Sequence, residues 1–505
     1  MTASTRRSEA VEADIMMYDL LVVGGGINGC AIAREAAING LSVLLVEKDD
    51  IGAHTSSASS RLIHGGLRYL EYYEFRLVRE ALRERERLLQ AAPHLIRPLE
   101  FVVPQSGSQR PSWMVRAGLF LYDWLASSSM PRSRRLNAKD RLLRLALKTA
   151  DSGFVYWDAW TDDARLTLAN ALDAAELGAE VWTRAGLVSA QREGDQWEVA
   201  LDTGQSVRAR ALVNAAGPWV SELLNRIGVT TKSKVRLVKG SHIMVSRLYH
   251  GRQAYLLQQP DGRVVFALNY DSDFTTIGTT DVPVDTPEDP RIGEDEIDYL
   301  IGAANRHFQY PIGRHNVVHS WSGIRALYDD GADDASAVTR DYVLELDTHG
   351  PAALSIFGGK ITTARALAED AMAKLAPVLG LSKVKNSRGR AFPGGDIGDF
   401  DAFLEQVRTR FPFLGDSRSL RMARAYGSRL FDMLDGVESE AAMGRAFGDG
   451  LTAIEAKWMR SREWALTAED ALMRRSKCAV HMTEAEREDF VRWWNSEDGA
   501  VELEI

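Results

Sequence analysis

Residues 20–23 are an unbroken apolar run that ends in a glycine turn, residues 31–38 have helical composition, and residues 42–46 are a second apolar run. Strand, tight turn, helix and strand make a βαβ unit, which predicts a parallel sheet covered by helices. Residues 74–90 then carry Phe75, Val78, Leu82 and Leu89 on one stripe among many charges, the pattern of a surface helix packed by one face. From 98 to 148 that rhythm is lost, and prolines with a serine run mark an excursion from the first module. Between 235 and 328 the chain turns to strands, at 241–245, 255–258, 264–268 and 276–278, with Gln259-Pro260-Asp261-Gly262 as a hairpin turn. This is an antiparallel sheet, hence a second module. The first module resumes at a strand over 352–357, which feeds a glycine turn and a helix over 362–375. After Pro393-Gly394-Gly395 the stretch 400–494 has helical periodicity and little strand signal, which makes a separate helical domain. The expected fold class is α/β plus α+β. Segments 15–95, 150–234 and 335–392 form a discontinuous first domain, 96–149 and 235–334 a second, and 393–505 a third.

Composition narrows the function rather than the fold. A chain of 505 residues accommodates roughly three domains. With 45% apolar and 26% charged residues, it is neither disordered nor a collagen-like or disulfide-framework chain. The 61 basic and 70 acidic residues give a formal charge of −9, which speaks against nucleic acid as a partner but leaves room for a local basic patch. Cys30 and Cys478 are the only cysteines; with no CxxC pair no metal is expected, and the chain reads as made for a reducing compartment. Cys30 itself reads as a small packing residue. The first 17 residues carry Arg6 and Arg7 but also Glu9, Glu12 and Asp14, with no apolar region after them, which argues against a cleaved secretory signal. Nor is any apolar stretch long enough to span a bilayer. If a membrane matters, the protein lies on it.

Gly24-Gly25-Gly26-Ile27-Asn28-Gly29 follows a predicted strand and opens a predicted helix, and Glu47 ends the next strand 23 residues after Gly24. Gly24 permits the tight turn, Gly26 lets backbone approach a pyrophosphate, and Gly29 lets helix and strand pack closely. The helix N-terminus offers N–H groups to phosphates, and Glu47 accepts from ribose hydroxyls. Glu47 disfavours a 2′-phosphate, while FAD and NAD both satisfy the fingerprint. Thr55-Ser56-Ser57-Ala58-Ser59-Ser60 precedes Arg61-Leu62-Ile63-His64-Gly65-Gly66-Leu67-Arg68-Tyr69. Hydroxyls of this kind can bond pyrophosphate or ribityl oxygens, and paired glycines let backbone lie against a flat ring; a serine N-cap with a tight turn would look the same. Two more turns, Val213-Asn214-Ala215-Ala216-Gly217-Pro218-Trp219 and Phe357-Gly358-Gly359-Lys360-Ile361-Thr362-Thr363, also lead from strands into helices. Three such turns at one edge of a parallel sheet make a long crevice, and a helix starting at Thr362 aims its positive end at the negative charge of a reduced flavin.

These blocks, with Trp321-Ser322-Gly323-Ile324-Arg325, Thr339-Arg340-Asp341-Tyr342 and Glu469-Asp470-Ala471-Leu472-Met473-Arg474-Arg475, resemble the FAD-dependent glycerol-3-phosphate dehydrogenase family. The resemblance runs from about residue 18 into the C-terminal domain. It implies an FAD-binding Rossmann-like domain of the D-amino acid oxidase-like superfamily, an antiparallel-sheet substrate domain and a helical cap. It further implies oxidation of sn-glycerol 3-phosphate to dihydroxyacetone phosphate, with FAD as cofactor and a membrane quinone as electron acceptor.

The cofactor residues implied are Gly24, Gly26, Gly29, Glu47, Thr55, Ser56, Ser59, Ser60, His64, Gly65, Gly66, Ala216, Gly217, Gly358, Gly359, Lys360, Ile361 and Thr362. The substrate residues are Arg68, Tyr69, Arg325, Arg340 and Lys360, since a phosphate dianion needs several cations and the planar fork of Arg suits it. The catalytic residues are His64, whose intrinsic pKa lies nearest neutral, with Lys360 and Arg325 available to stabilise an alkoxide. His64 could equally orient the flavin or cap a turn. The family usually carries proline where this chain has Ala326, which loosens the loop after Arg325.

A lipid-soluble acceptor requires a membrane contact. Residues 112–125 have the apolar body and aromatic ends of a helix lying in an interface, and Arg132, Arg134, Arg135, Lys139, Arg141, Arg144 and Lys148 follow against Asp140 alone. Such a cluster attracts an anionic lipid surface at about 1 kcal/mol per residue. The expectation is a cytoplasmic protein attached to the inner face of the membrane, with a homodimer left open. Two rivals keep the same cofactor: a glycerol-phosphate oxidase that reduces oxygen to peroxide, and a flavin-bound sensor without turnover.

Overall fold

Every side chain of Tyr18 and Leu20–Val23 is buried, because the Met17–Val23 strand (β1) runs through the middle of a sheet covered on both faces. A computed structural model describes residues 16–105, 110–126, 129–149, 152–271, 273–329 and 341–502. In its first sheet the strands lie in the order Tyr342–Asp347, Ala352–Gly358, Ser206–Asn214, β1, Val43–Glu47 (β2) and Glu180–Thr183, with a hairpin, Leu187–Glu193 and Gln196–Leu201, beside Ser206–Asn214. From Ala352–Gly358 to Glu180–Thr183 all neighbours are parallel, with Val22 level with Val213 and Leu45. The helix Ile27–Ile38 (α1) is buried almost all round. It packs against Asp163–Glu176 and Ala364–Leu379, and its alanines admit that approach.

The second sheet runs Val282–Pro283, Val235–Ser246, Phe274–Gly278, Val264–Tyr270, Ala254–Gln258, Ile96–Pro104, Gly153–Thr161 and Leu62–Ile63, and Val317–Tyr328 also pairs with Val235–Ser246. The hairpin at 259–262 closes as expected, with Gly262 at φ +80° and its N–H on the Gln259 carbonyl. One pairing differs from an all-antiparallel sheet: Ala254–Gln258 runs parallel to Ile96–Pro104. Gly153–Thr161 and Leu62–Ile63, read from sequence as part of the first module, pair into this second sheet. Ladder partners are set by distant chain segments, so no local pattern reveals them. The apparent excursion therefore begins with a central strand of this sheet.

The helix Phe75–Ala91 (α2) is amphipathic as expected, but its buried stripe is Leu77, Val78, Ala81, Leu82 and Leu88, while Phe75 is exposed. It also buries Glu84 and Arg85, which pair with Arg365 and Asp158. The C-terminal region holds the helices Phe400–Arg410, Gly415–Tyr426, Ala453–Arg462 and Glu484–Trp494, with one short strand pair, Ala446–Gly448 and Leu451–Thr452. Buried ion pairs fasten it to the rest: Arg475 to Asp50 at 2.7 Å, Arg165 to Glu463 at 2.7 Å and Lys477 to Asp163 at 3.3 Å. Both cysteine thiols are buried and outside any disulfide, and burial pushes their pKa up.

Candidate active site

A cavity of about 650 Å3 lies where the glycine turns of the first sheet meet the second sheet. Its nucleotide end is mostly backbone. Gly24 sits at φ +113°, and a Cβ there would lie 2.5 Å from the Ala215 carbonyl oxygen. A Cβ on Gly29 would lie 1.9 Å from the Gly24 carbonyl oxygen, so this glycine exists to let α1 seat on the turn. Glu47 accepts from the N–H of Gly25 at 2.6 Å and of Asp49 at 2.9 Å. Burial raises its pKa above the ordinary carboxylate value, which those two N–H groups partly offset. Gly26, Ala216 and Gly217 line the cavity beside it.

The hydroxyl run at 55–60 also lines the cavity, through Thr55, Ser56, Ser59 and Ser60, but each hydroxyl already has a protein partner. Thr55 donates to the Ile324 carbonyl at 2.6 Å, and Ser56 accepts from the Ile27 N–H at 2.9 Å, satisfying an orphan donor of α1. Ser59 donates to Asp163 at 2.8 Å, and Ser60 bonds His242 Nε2 at 2.8 Å. The run thus ties together four elements, α1, Asp163–Glu176, Val235–Ser246 and Val317–Tyr328.

Beyond the nucleotide turn the wall is made of side chains. His64, Tyr69, Phe266, Thr279, Arg325, Lys360, Ile361 and Thr362 line it, and Gly358 and Gly359, at φ +83° and +101°, join it to the nucleotide turn, where Asn28 donates to the Gly358 carbonyl at 3.4 Å. The His64 N–H donates to Thr362 Oγ1 at 3.3 Å, and Lys360 Nζ lies 4.1 Å from the centre of the Tyr69 ring. Arg325 pairs with Asp281 and donates to Thr279 Oγ1 at 2.9 Å, so its fork is held before any ligand arrives. The turn Ile361–Thr363 leads into the helix Ala364–Leu379, whose N-terminus faces this end.

Some expected residues are not brought to the cavity. Gly29, Gly65 and Gly66 lie behind its wall: Gly65 packs on Leu82 and Tyr122, and Gly66, at φ +74°, makes room for the Tyr69 ring. Arg68 is not among the lining residues and donates to Tyr72 Oη at 3.4 Å, because the 3-10 turn Leu67–Tyr72 points it away from Tyr69. Arg340 lies outside the described residues.

Sequence reasoning passed over Arg61 and His242. His242 is buried, stacks on Trp321 with ring centres 5.0 Å apart, and has no hydrogen-bond partner at Nδ1. Burial, with Arg325 and Arg61 nearby, pushes its pKa down to about 3, so the imidazole is neutral. Arg61 lies over the Tyr270 ring at 4.4 Å, with Nη1 lacking a hydrogen-bond partner. The unusual Arg61 backbone, φ +58°, is invisible in sequence, and His242 is one strand residue among many.

A cavity with a glycine turn where no Cβ fits, a carboxylate one strand away and a second glycine pair packed against Asn28 of that turn suits a dinucleotide such as FAD. An FAD-dependent oxidoreductase is the class that fold and cavity define, and the model of the family described as DAO, FAD dependent oxidoreductase, matches residues 19–365. A D-erythritol 1-phosphate dehydrogenase of Brucella abortus is 48% identical over 490 residues, covering 95% of this chain and 98% of that one. An aerobic glycerol-3-phosphate dehydrogenase of Escherichia coli is 45% identical over 491 residues, covering 94% and 97%. A solved glycerol-3-phosphate dehydrogenase of Bacillus halodurans, complexed with FAD, superposes with a TM-score of 0.72 at 26% identity over 97% of both chains. The chain belongs to the FAD-dependent glycerol-3-phosphate dehydrogenase family. Among the described residues no helix is long and apolar enough to cross a membrane.

Proposed function

We propose that this protein oxidises a polyol phosphate, sn-glycerol 3-phosphate in the first instance, to its ketone, dihydroxyacetone phosphate, and passes the electrons to a membrane quinone. The observation that carries this is that Arg325, Lys360 and His64 line the same cavity as the nucleotide turn. FAD, when bound, supplies the hydride acceptor. Arg325, pre-oriented by Asp281 and Thr279, takes the phosphate through its planar fork, and Lys360 adds a second cation. His64 receives the proton of the C2 hydroxyl, while the nearby cations stabilise the developing alkoxide. Arg340 joins the phosphate site on the strength of the resemblance.

The relative from Brucella abortus favours a second reading, D-erythritol 1-phosphate, a substrate longer by one hydroxylated carbon that the same phosphate clamp would accept. Anaerobic bleaching of the flavin by each phosphate, with glycerol and erythritol as controls, tests both. Reduction by one phosphate and not by the free polyols is expected; no bleaching by either phosphate would overturn the reading. Quinone reduction without peroxide separates the dehydrogenase from an oxidase.

The helix Ser112–Leu125 (α3) supports the membrane contact. Val115, Leu119 and Tyr122 are buried, while Trp113, Phe120 and Trp124 are 70%, 63% and 68% exposed on the opposite stripe. A helix apolar on both faces at a protein surface suits an interface. Arg132, Arg135, Lys139 and Arg141 are exposed nearby in sequence, whereas Arg134 is paired with Asp140 at 2.7 Å. This face is the proposed attachment to anionic lipid at the inner side of the membrane.

A further inference from the structure

The wall that carries His64 is held from behind by a side chain of the surface helix α3. The Gly65 N–H donates to Tyr122 Oη at 2.8 Å. That hydroxyl lies 2.8 and 2.9 Å from the two carboxylate oxygens of Asp158 and donates to them. Arg85 donates to the same carboxylate at 2.7 Å. All three side chains are buried. Burial holds the Tyr122 phenol well above its ordinary pKa, so it stays a neutral hydroxyl that can accept and donate at once. The contact has no slack, since a Cβ on Gly65 would lie 2.8 Å from Tyr122 Oη and from Leu82 Cγ.

We infer that Tyr122 is a positioning residue: its hydroxyl sets the backbone at Gly65, and thereby the place of His64 and Tyr69 in the cavity wall, tying the reaction end to α3. Gly65 is buried and its N–H must find an acceptor, and the accepting atom is fixed in turn by a buried carboxylate and arginine. Phenylalanine would fill the same space without offering that acceptor, leaving the Gly65 N–H to the Asp158 carboxylate that also faces it, so the turn would shift toward Asp158. Small displacements of a catalytic group cost turnover more than they cost binding. The inference rests on the reading of the cavity as the substrate and flavin site.

The test uses the full-length FAD-loaded enzyme. Tyr122→Phe should keep the parent's FAD per chain and a KM for the polyol phosphate within about twofold, while kcat with a soluble dye falls roughly tenfold or more and the visible circular dichroism of the bound flavin changes. Gly65→Ala, which presses the same contact from the turn, should act in the same direction, and the double variant should be no worse than the worse single one. Unchanged kcat and dichroism in Tyr122→Phe would overturn the inference. So would loss of FAD with kcat per bound flavin preserved. If Tyr122→Phe does not fold, Gly65→Ala carries the same readouts. Should no polyol phosphate reduce the parent's flavin, the functional reading fails, and the dichroism comparison still decides the role of Tyr122.

Discussion

The two ends of the cavity are built by different means. At the nucleotide end a single stretch, Gly24 to Gly29, with Glu47 on the adjacent strand, supplies backbone N–H groups, a helix N-terminus and a carboxylate. At the reaction end His64, Thr279, Arg325 and Lys360 come from four separate regions of the chain, and each is oriented by a partner elsewhere. A backbone site depends on what cannot be there, a Cβ. A side-chain site depends on what holds each group in place.

That difference can be broken experimentally, and the largest effect should come from the nucleotide end. Gly29→Ala places a Cβ against the Gly24 carbonyl, forcing the turn open; overpacking of this kind costs about 1 to 3 kcal/mol or more. Most of the flavin should be lost on purification, read as FAD per folded chain, and full retention would show that the turn tolerates side chains after all. At the reaction end Arg325→Ala should leave FAD content near the parent's and lower kcat/KM for the phosphate substrate by roughly one to two decades, or about 1.5 to 3 kcal/mol. Arg325→Lys should recover only part of the activity, since an ammonium keeps the charge but not the planar fork. The deciding quantity is the efficiency ratio of phosphorylated to free polyol; an unchanged ratio would remove Arg325 from the phosphate site.

A smaller effect separates structural from reactive histidine. His242 has its pKa lowered to about 3 in the fold, against an ordinary 6.5. The unfolded chain therefore takes up a proton through about pH 6.5 that the folded chain refuses until about pH 3, so stability is full above that window and falls as pH drops through it. His242→Asn should reduce the slope of unfolding free energy against pH by about one proton between roughly pH 4 and 6. An identical slope in parent and variant would mean that His242 is protonated in the fold. The smallest effect should be at the surface. Arg132→Ser and Arg135→Ser should each weaken binding to anionic vesicles about fivefold, with neutral vesicles unaffected, and Arg134→Ser should do less because Asp140 and Glu100 already engage it. Equal binding to both lipid types throughout would make the cluster a solvated loop.

The hydrophobic pattern was sufficient for the βαβ unit, the hairpin at 259–262, the helix after Gly359 and the helical C-terminal region, since each is a local periodicity or turn chemistry. It was insufficient for Gly153–Thr161, whose place in the second sheet depends on pairing with Ile96–Pro104. The same limit applies within the site. Residue type and spacing marked Gly24, Glu47, Thr55 and Lys360, and the resemblance marked Arg325. Only the assembled fold turned Arg68 toward Tyr72, set Ser60 on His242 and placed Tyr122 beneath Gly65.

By itself, then, the order of residues determined where backbone must be bare and which charges are available, because steric exclusion at glycine and local periodicity act over a few residues. The tertiary structure decided which of those charges face one another, because burial, ladder register and the partner of each buried donor depend on segments tens to hundreds of positions apart.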